Sequence, residues 1–449
     1  MKKAIAVLLI CVFSITLIGV DHAIASSILY DSSGEEKRTS EETEGQDSGK
    51  STSQVRTEEE VEALINENRN DGLEEESVET TGNNNISLTA KSAVLIEGST
   101  GEILFEKDKD LVMEPASITK IMTLILIFEA LDAGKITLTD QVSVSEHAAS
   151  MGGSQVYLEP FETQTVETMI KCISISSAND ACVAMAEYIA GSEEEFVARM
   201  NAKAKELGMT KTNFENSCGL DDTTVNHVST AYDVALMSRE LITKYPQVSK
   251  YATTWMDTFT HVTKKGESEF GLTNTNKLVR TYKGITGLKT GSTAKAKYCL
   301  SASANRNGMD LIAVVMSAPE PKVRFAEAAT LLDYGFANCS VYKDDHKDMV
   351  IDPIPVASGA EDTVVGKAAK GFSYVCLNGK NPADVTREIV INENVTAPIK
   401  ANDELGTIIY RLNNEEIGRV SIVATVDVRK ATFGDAISEM LQKFFMIKE

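Results

Sequence analysis

The sequence predicts an α+β domain whose antiparallel sheet is built from strands at both ends of the domain, with a helical insertion between them. Five strand-like runs support this prediction, two early and three late: 91–97, 102–106, 284–293, 298–304 and 309–318. Residues 130–250, which separate the two groups, have a mostly helical pattern. Early and late strands with helices between them are typical of this architecture.

The N-terminus has the features of a secretory signal peptide, assigned to residues 1–25. Lys2 and Lys3 form a basic start, residues 4–20 are apolar, and Ala23-Ile24-Ala25 is a small-x-small cleavage site. An uncleaved anchor is the alternative, because a run of 17 residues is at the lower limit for spanning a bilayer. In either case we expect the bulk of the chain outside the cytoplasm.

Residues 26–85 are predicted to form an acidic, disordered linker. Residues 31–85 contain 17 Asp and Glu against 5 Lys and Arg, in a chain with a net charge of −22. The segment has no aromatic residue after Tyr30 and too little apolar surface to offset the entropy cost of ordering. Net acidity without a basic stripe also disfavours nucleic-acid binding.

A large α+β domain is assigned to residues 86–342, and its elements follow in chain order. Gly98-Ser99-Thr100-Gly101 joins the first two strands as a hairpin turn. Residues 117–130 are apolar around most of a helical circumference, which predicts a helix buried inside a sizeable domain. Further helices are predicted at 166–173, 180–190, 194–207, 230–244 and 322–334.

A small all-β domain is predicted at residues 345–430, where valine- and isoleucine-rich runs alternate with Gly, Asn and Asp turns. The final segment, 431–449, is predicted to be an amphipathic helix with Phe433, Ile437, Met440, Leu441 and Phe444 on one face. That face is compatible with a membrane interface or with packing on the protein. Its acidic residues outweigh its lysines and it lacks Trp, which weakens the electrostatic case for anionic lipid.

The cysteines leave two interpretations open. Cys11 lies in the predicted signal peptide, and the other six permit 15 full disulfide pairings in an exported protein. Their scatter through apolar helices and strands is at least as typical of buried free thiols. No Cys-x-x-Cys pair or closely spaced His and Cys group indicates a metal, and no cofactor is expected.

Three short motifs occur in a fixed order: Ser117-Ile118-Thr119-Lys120, Ser177-Ala178-Asn179 and Lys289-Thr290-Gly291. At helical spacing, Ser117 and Lys120 share one face, so the lysine amine can reach the serine hydroxyl. An ordinary lysine has a pKa of about 10.4, so one that acts as a base must be buried or lie near another positive charge. Lys289 is a candidate for that charge, and the start of the helix adds its positive end.

The second and third motifs have both structural and functional interpretations. In isolation, Asn179 is a helix N-cap and Lys289 an exposed edge-strand lysine. Together with Ser117, Ser177 becomes a proton shuttle and Asn179 a donor to substrate or to Lys120. Lys289 then supplies a fixed cation, Thr290 a hydroxyl for a carboxylate, and Gly291 room for substrate against the backbone.

These motifs resemble those of the penicillin-recognising serine enzymes with the β-lactamase/transpeptidase-like fold. Other sequence segments are similar to those of the low-molecular-mass D-alanyl-D-alanine carboxypeptidases. Examples are Glu114-Pro115-Ala116 before Ser117 and Gly219-Leu220-Asp221-Asp222. The resemblance implies a β-rich C-terminal domain, peptidoglycan stem peptides as substrate and β-lactam antibiotics as acylating inhibitors. It implies catalytic roles for Ser117, Lys120, Ser177 and Asn179, and substrate binding by Lys289, Thr290, Gly291, Ser292 and Arg324.

In this resemblance, the NH groups of Ser117 and Ser292 form the oxyanion hole, and Arg324 holds the terminal carboxylate of the substrate. A surface arginine at a helix start is the structural alternative for Arg324. Other functions stay open at this point: a D,D-endopeptidase or transpeptidase, a β-lactamase, or a non-catalytic wall-binding protein that keeps the fold. The long acidic linker is a departure from the family pattern.

Overall fold

The structure is a computed structural model that describes residues 86–346, 349, 351–377 and 379–445. The predicted signal peptide and the whole of the predicted linker lie outside these residues. The described helices are α1 (Lys120–Asp132), α2 (Glu146–Ala149), α3 (Val166–Ile175), α4 (Asn179–Ala190), α5 (Glu193–Glu206), α6 (Ala231–Lys244), α7 (Val248–Ala252), α8 (Leu278–Thr281), α9 (Pro321–Asn338) and α10 (Phe433–Phe445).

The strands of the enzyme domain fall into one large sheet and two hairpins. Their bounds are β1 (Ser92–Glu97), β2 (Ile103–Lys107), β3 (Gln141–Ser143), β4 (Thr163–Thr165), β5 (Met256–Thr263), β6 (Gly266–Thr273), β7 (Ile285–Thr293), β8 (Lys297–Arg306) and β9 (Met309–Ala318). In the large sheet the spatial order is β2-β1-β9-β8-β7, and every neighbouring pair is antiparallel. The predicted sheet built from both ends of the domain is therefore confirmed.

The register of the sheet places apolar residues from early and late strands side by side. Val94 on β1 lies opposite Val314 on β9, and Leu300 on β8 lies opposite Val315. One apolar core lies between this sheet and the helical insertion, and a second lies under α9 on the other side. Because β7 is an edge strand, its outer edge is free to line a site next to the helices.

Helix α1 is the buried centre of the helical part, as its sequence predicts. Ten of its 13 residues are buried, from Lys120 through Phe128 and at Ala130. Two other helix ends follow the local signals: the Thr230 hydroxyl accepts from the Asp233 amide at the start of α6, and Gly191 takes a left-handed conformation at the end of α4.

The start of α1 differs from the prediction. The α-helix begins at Lys120, and Ser117 lies in a separate 3-10 turn, Ala116–Thr119, which we call the nucleophile turn. The Lys120 amide bonds to the Ser117 carbonyl three residues earlier, which is the 3-10 pattern, and Ala116 at the start of the turn has a φ of 48°. The expectation that Ser117 occupies the first turn of the α-helix is therefore corrected, although Ser117 and Lys120 still come together.

The hairpin of β5 and β6 is an element that the sequence did not lead us to predict. Its residues pair from Met256 with Thr273 to Thr263 with Gly266. Phe259, His261 and Phe270 pack against each other on one side of it, and the His261 ring contacts the Glu162 carboxylate at 2.9 Å. After β6 the chain continues through α8 to β7, the strand that carries Lys289-Thr290-Gly291.

The C-terminal domain is all-β up to its final helix, as predicted. Its strands are β10 (Cys339–Asp344), β11 (Ile354–Pro355), β12 (Thr363–Val364), β13 (Gly366–Ala368), β14 (Phe372–Leu377), β15 (Val385–Ile391), β16 (Glu404–Leu412) and β17 (Glu415–Ala424). The main sheet has the order β13-β17-β16-β15 and packs around Ile408, Tyr410 and Ile422. The last strand ends at Ala424.

Helix α10 presents Phe433, Met440 and Phe444 to the outside, with exposed fractions of 82%, 65% and 79%. Within the described residues, none of the helices combines the length and apolar character that crossing a bilayer requires.

The six cysteines that the sequence left open are all free thiols, and all but Cys339 are buried.

Candidate active site

Ser117 and Lys120 are brought together at the junction of the nucleophile turn and α1. Lys120 Nζ lies 3.0 Å from Ser117 Oγ, 2.6 Å from Asn179 Oδ1 and 2.7 Å from the carbonyl oxygen of Cys218. Lys120 is fully buried, whereas Ser117 is partly exposed. The amine is thus held inside the protein while the hydroxyl can meet a substrate.

The three partners of Lys120 are arranged as a base requires. The Asn179 and Cys218 oxygens can only accept, whereas the Ser117 hydroxyl can also donate. A protonated amine can donate to all three oxygens, whereas a neutral amine would satisfy both acceptors with its two N–H groups and have its lone pair left for the Ser117 proton. The geometry therefore fits transfer of a proton from Ser117 Oγ to Lys120 Nζ.

Ser177 and Lys289 form the second part of the site. Lys289 Nζ donates to Ser177 Oγ at 2.8 Å and to the carbonyl oxygen of Thr290 at 3.0 Å. Ser177 has a φ of 62°, an uncommon conformation for serine, and it sits in the short link between α3 and α4. This places a second hydroxyl, bonded to a second buried lysine, across the site from Ser117.

Asn179 is not a helix cap. Ala178 occupies the cap position of α4 without a side-chain hydrogen bond, and Asn179 is the first helical residue. Its Nδ2 donates to the Gly152 carbonyl at 2.7 Å, which fixes Oδ1 toward Lys120. The Asp180 carboxylate accepts from the amides of Val156 and Leu158 and so anchors the same loop.

Two glycines allow the backbone segments of the site to touch. At Gly219, with a φ of 83°, an added Cβ would lie 1.9 Å from the Ala116 carbonyl oxygen. At Gly291 an added Cβ would lie 2.7 Å from the Pro115 carbonyl oxygen and 3.2 Å from the amide nitrogen of Ile118. Gly291 was expected to make room for substrate, and the contact shows that it lets β7 pack on the nucleophile turn.

The remaining predicted residues lie along β7 and at α9. Thr290 is bonded to Thr275 through their hydroxyls at 2.7 Å, and Ser292 is exposed. Arg324 is not a free surface side chain, since its Nη1 donates to the Gly291 carbonyl at 2.8 Å and approaches the Cys299 carbonyl at 3.3 Å. The arginine therefore supports the strand that carries the third motif.

The site concentrates positive charge in a buried place. Burial lowers the pKa of Lys289 well below its ordinary value, and the charges of Lys120 and Arg324 lower it further. Lys289 was expected to act on Lys120 as a fixed cation. Burial and the neighbouring cations therefore disfavour the charged form of Lys289, and its role as a fixed cation stays a prediction.

Three contributors to the site were not identified from the sequence. The Cys218 carbonyl and the Gly152 carbonyl act through the backbone, where the side-chain type carries no signal. His227 is buried behind the nucleophile turn, with Nε2 2.7 Å from the Thr119 hydroxyl and Nδ1 accepting from the Glu215 amide. The local sequence around His227 does not indicate this contact, because Thr119 lies 108 positions away.

The chain matches two family models. The family model described as D-alanyl-D-alanine carboxypeptidase matches residues 77–320, more than half of the chain. The chain belongs to this family. The family makes it a serine hydrolase, and a second model, the C-terminal domain of penicillin-binding protein 5, matches residues 340–430.

Relatives support the family over most of the chain. D-alanyl-D-alanine carboxypeptidase DacF of Bacillus subtilis (strain 168) is 45% identical over 77% of this chain and 87% of that protein. DacC of Escherichia coli (strain K12) is 34% identical over 77% of this chain and 86% of that protein. Penicillin-binding protein 5 of Haemophilus influenzae, a solved structure, is 31% identical with a TM-score of 0.67, covering 78% of this chain and all of its own.

Among the described residues, no group of three His, Cys, Asp or Glu side chains is arranged to hold a metal ion. Four side chains of the site form two hydrogen-bonded pairs: Ser117 with Lys120, and Ser177 with Lys289.

Proposed function

We propose that the protein removes the terminal D-alanine from peptidoglycan stem peptides through an acyl-enzyme on Ser117. The hydroxyl oxygen attacks the carbonyl carbon of the penultimate D-alanine, a C–O bond forms and the peptide C–N bond breaks. The proton leaves with free D-alanine, and water then hydrolyses the ester. The observation that carries this proposal is the 3.0 Å contact between Ser117 Oγ and a buried, fully partnered Lys120 amine.

Two groups are proposed to move the proton. Lys120 takes it from Ser117, because its lone pair is directed there once its two N–H groups have bonded their acceptors. Ser177, bonded to Lys289, passes a proton to the leaving amine, and the lowered pKa of Lys289 suits this exchange. Asn179 keeps the Lys120 amine in line through its 2.6 Å contact.

The groups along β7 are proposed to bind the substrate. The NH groups of Ser117 and Ser292 would stabilise the developing oxyanion, donors of a kind worth about 3 to 4 kcal/mol each. The Thr290 hydroxyl and the Lys289 amine would receive the terminal carboxylate. Arg324 would add its positive charge to that carboxylate site from behind the strand, because its guanidinium already bonds the Gly291 carbonyl.

The location is proposed from the ends of the chain. Residues 1–25 have signal-peptide features, so we infer that the enzyme is secreted and acts at the outer face of the membrane or in the cell wall. Helix α10, with Phe433, Met440 and Phe444 exposed, would lie on the membrane surface. Flotation with vesicles of phosphatidylglycerol and phosphatidylethanolamine would test this: a chain ending at residue 431 should stay unbound.

Product analysis of a purified stem pentapeptide ending in D-Ala-D-Ala tests the reaction. We expect one D-alanine per pentapeptide, with a tetrapeptide as the other product, and no release by Ser117→Ala. A stem tetrapeptide serves as the control substrate and should stay intact. D-alanine release that survives the substitution would contradict the mechanism.

Assays of the same purified protein with other substrates separate the alternative functions. Cleavage of cross-linked dimers, or transfer to an added acceptor amine, would favour an endopeptidase or a transpeptidase. Rapid turnover of penicillin would indicate a β-lactamase, whereas a long-lived penicillin adduct fits the carboxypeptidase. A folded protein that neither releases D-alanine nor labels with penicillin would indicate a wall-binding function.

A further inference from the structure

Asp221 joins the far end of β7 to the loop that follows Cys218. Its Oδ2 accepts from the Thr293 hydroxyl at 2.5 Å, and its backbone carbonyl accepts from Lys295 Nζ at 3.0 Å. The residue is buried, with 5% of its surface exposed. Thr293 Oγ1 in turn accepts from the Ala296 amide at 3.0 Å, so its single hydroxyl proton is left for Asp221.

The loop that carries Asp221 is itself fixed to the nucleophile turn. The carbonyl of Cys218 accepts from Lys120 Nζ, and Gly219 packs so closely on Ala116 that no Cβ would fit. The Asn216 side chain ties this stretch together, bonding the Gly219 amide at 2.6 Å and the Leu220 carbonyl at 2.7 Å. Asp221 therefore follows a segment that has little freedom to move relative to Ser117.

Strand β7 thus meets the nucleophile turn and its supporting loop at two consecutive points. The first is the packing of Gly291 against Pro115 and Ile118, and the second is the hydrogen bond from Thr293 to Asp221. Ser292 lies between these points on the edge strand of the sheet. Its amide is one of the two proposed oxyanion donors, and such donors act only when they are held within a fraction of an ångström.

We propose that Asp221 is a positioning residue, which fixes the Ser292 amide relative to Ser117 through its hydrogen bond with Thr293. The inference rests on the proposed acyl transfer but not on the identity of the peptide substrate. Loss of the bond removes the second of these two contacts, so the Ser292 amide is fixed relative to Ser117 only by the Gly291 packing and by the pairing of β7 with β8, and it gains freedom. The chemical step should slow while initial binding is retained.

Stopped-flow acylation by benzylpenicillin tests this, since it separates the dissociation constant of the first complex from the rate constant of acylation. For Thr293→Val we expect the acylation rate constant to fall about tenfold to a hundredfold, with the dissociation constant within about twofold. Thr293→Ser keeps the hydroxyl and should restore the rate. Asp221→Ala should match Thr293→Val, and the double variant should be no slower than either single variant.

A matched control is available at Thr212, whose hydroxyl donates to Asp233 Oδ2 at 2.7 Å and which is 4% exposed. Thr212→Val removes the same kind of buried bond without touching β7, so it should lower the melting temperature and leave the acylation rate unchanged. If Thr293→Val acylates at the wild-type rate, or if only its dissociation constant changes, the positioning role is wrong. If Thr212→Val slows acylation equally, the effect is general destabilisation and the proposal also falls.

A different experimental result would contradict the proposed carboxypeptidase function. A wild-type protein that is acylated by penicillin but releases no D-alanine would overturn that function alone. The comparison of Thr293→Val with Thr293→Ser would still decide the role of Asp221. If Asp221→Ala does not fold, the two Thr293 variants carry the test by themselves.

Discussion

Lys120 Nζ lies 2.6 Å from Asn179 Oδ1 and is held by this contact toward Ser117. The amide oxygen has no proton to offer, so it always takes an N–H from the lysine. In the proposed mechanism the Cys218 carbonyl takes the second N–H group of a neutral amine, and the lone pair is left for Ser117. Asn179 would then orient the amine that receives the Ser117 proton.

Replacing Lys120 by arginine should abolish acylation although the positive charge is retained. A guanidinium does not give up its proton at any working pH, so it cannot act as the base. The second-order rate constant for penicillin acylation should fall at least about 100-fold. Lys203→Arg is the control, because Lys203 is also buried but bonds Glu129 and Glu206 outside the site. Acylation of Lys120→Arg at the control rate would mean that another group is the base.

Asn179→Asp should move the pH dependence of acylation to higher pH. A carboxylate 2.6 Å from the amine would favour the protonated lysine, so more alkaline conditions are needed to free the lone pair. The rate measured from pH 6 to 10 should reach half its maximum at a higher pH than in the wild type. Asn179→Ala, which removes the contact without adding charge, should lower the rate without this upward shift. A profile for Asn179→Asp that overlays the wild type would exclude electrostatic control by residue 179.

His227 should make the fold sensitive to acid. Burial, with a contribution from the Lys120 charge, lowers the pKa of His227 from 6.5 to about 3. Between these values the unfolded chain binds a proton that the folded chain does not, so stability is present above pH 6.5 and is lost as the pH falls toward 3. The limiting slope for one such group is about 1.4 kcal/mol for each pH unit.

Urea unfolding at pH 7.0, 6.0 and 5.0 measures this slope. His227→Gln cannot titrate, so its free energy of unfolding should fall less steeply than that of the wild type, whatever its stability at pH 7. Carboxylates contribute equally to both proteins and cancel in the comparison. Parallel slopes for the two proteins would show that His227 does not remain neutral in the folded state.

Gly219→Ala should destabilise the protein far more than the same substitution at Gly208. Both glycines have positive φ values, 83° and 75°, but only Gly219 has a neighbour that a Cβ would strike. Gly208→Ala should cost about 1 kcal/mol from backbone strain alone. Gly219→Ala must displace the Ala116 backbone, so we expect a loss of at least about 3 kcal/mol together with loss of acylation. Equal costs in thermal unfolding would contradict the close packing of the Cys218 loop on the nucleophile turn.

The parts of the fold that were predictable are those with strong local signals. Helix α1 is apolar on all sides, and Thr230 and Gly191 mark helix ends with residue types suited to those positions. The hairpin of β5 and β6 was missed because charged and polar residues dominate its exposed face, and only Phe259, His261 and Leu272 are buried. A strand with so few buried residues has a weak alternating pattern.

The sequence identified the residues that contribute side chains to the site, but it did not identify those that contribute backbone atoms. Ser117, Lys120, Ser177 and Lys289 were identified from motif order, and the structure brings them into two hydrogen-bonded pairs. The 3-10 turn at Ser117 was not visible, because it depends on the positive φ of Ala116 and on its contact with Gly219. Such contacts join residues about 100 positions apart and leave no local pattern.

Mapping of the penicillin adduct tests whether Ser117 is the nucleophile. The wild-type protein is labelled with benzylpenicillin, digested, and analysed by tandem mass spectrometry. We expect a single penicilloyl group on the peptide that contains Ser117, and no adduct on Ser117→Ala. An adduct on Ser177, on Ser292 or on any other residue would contradict the account.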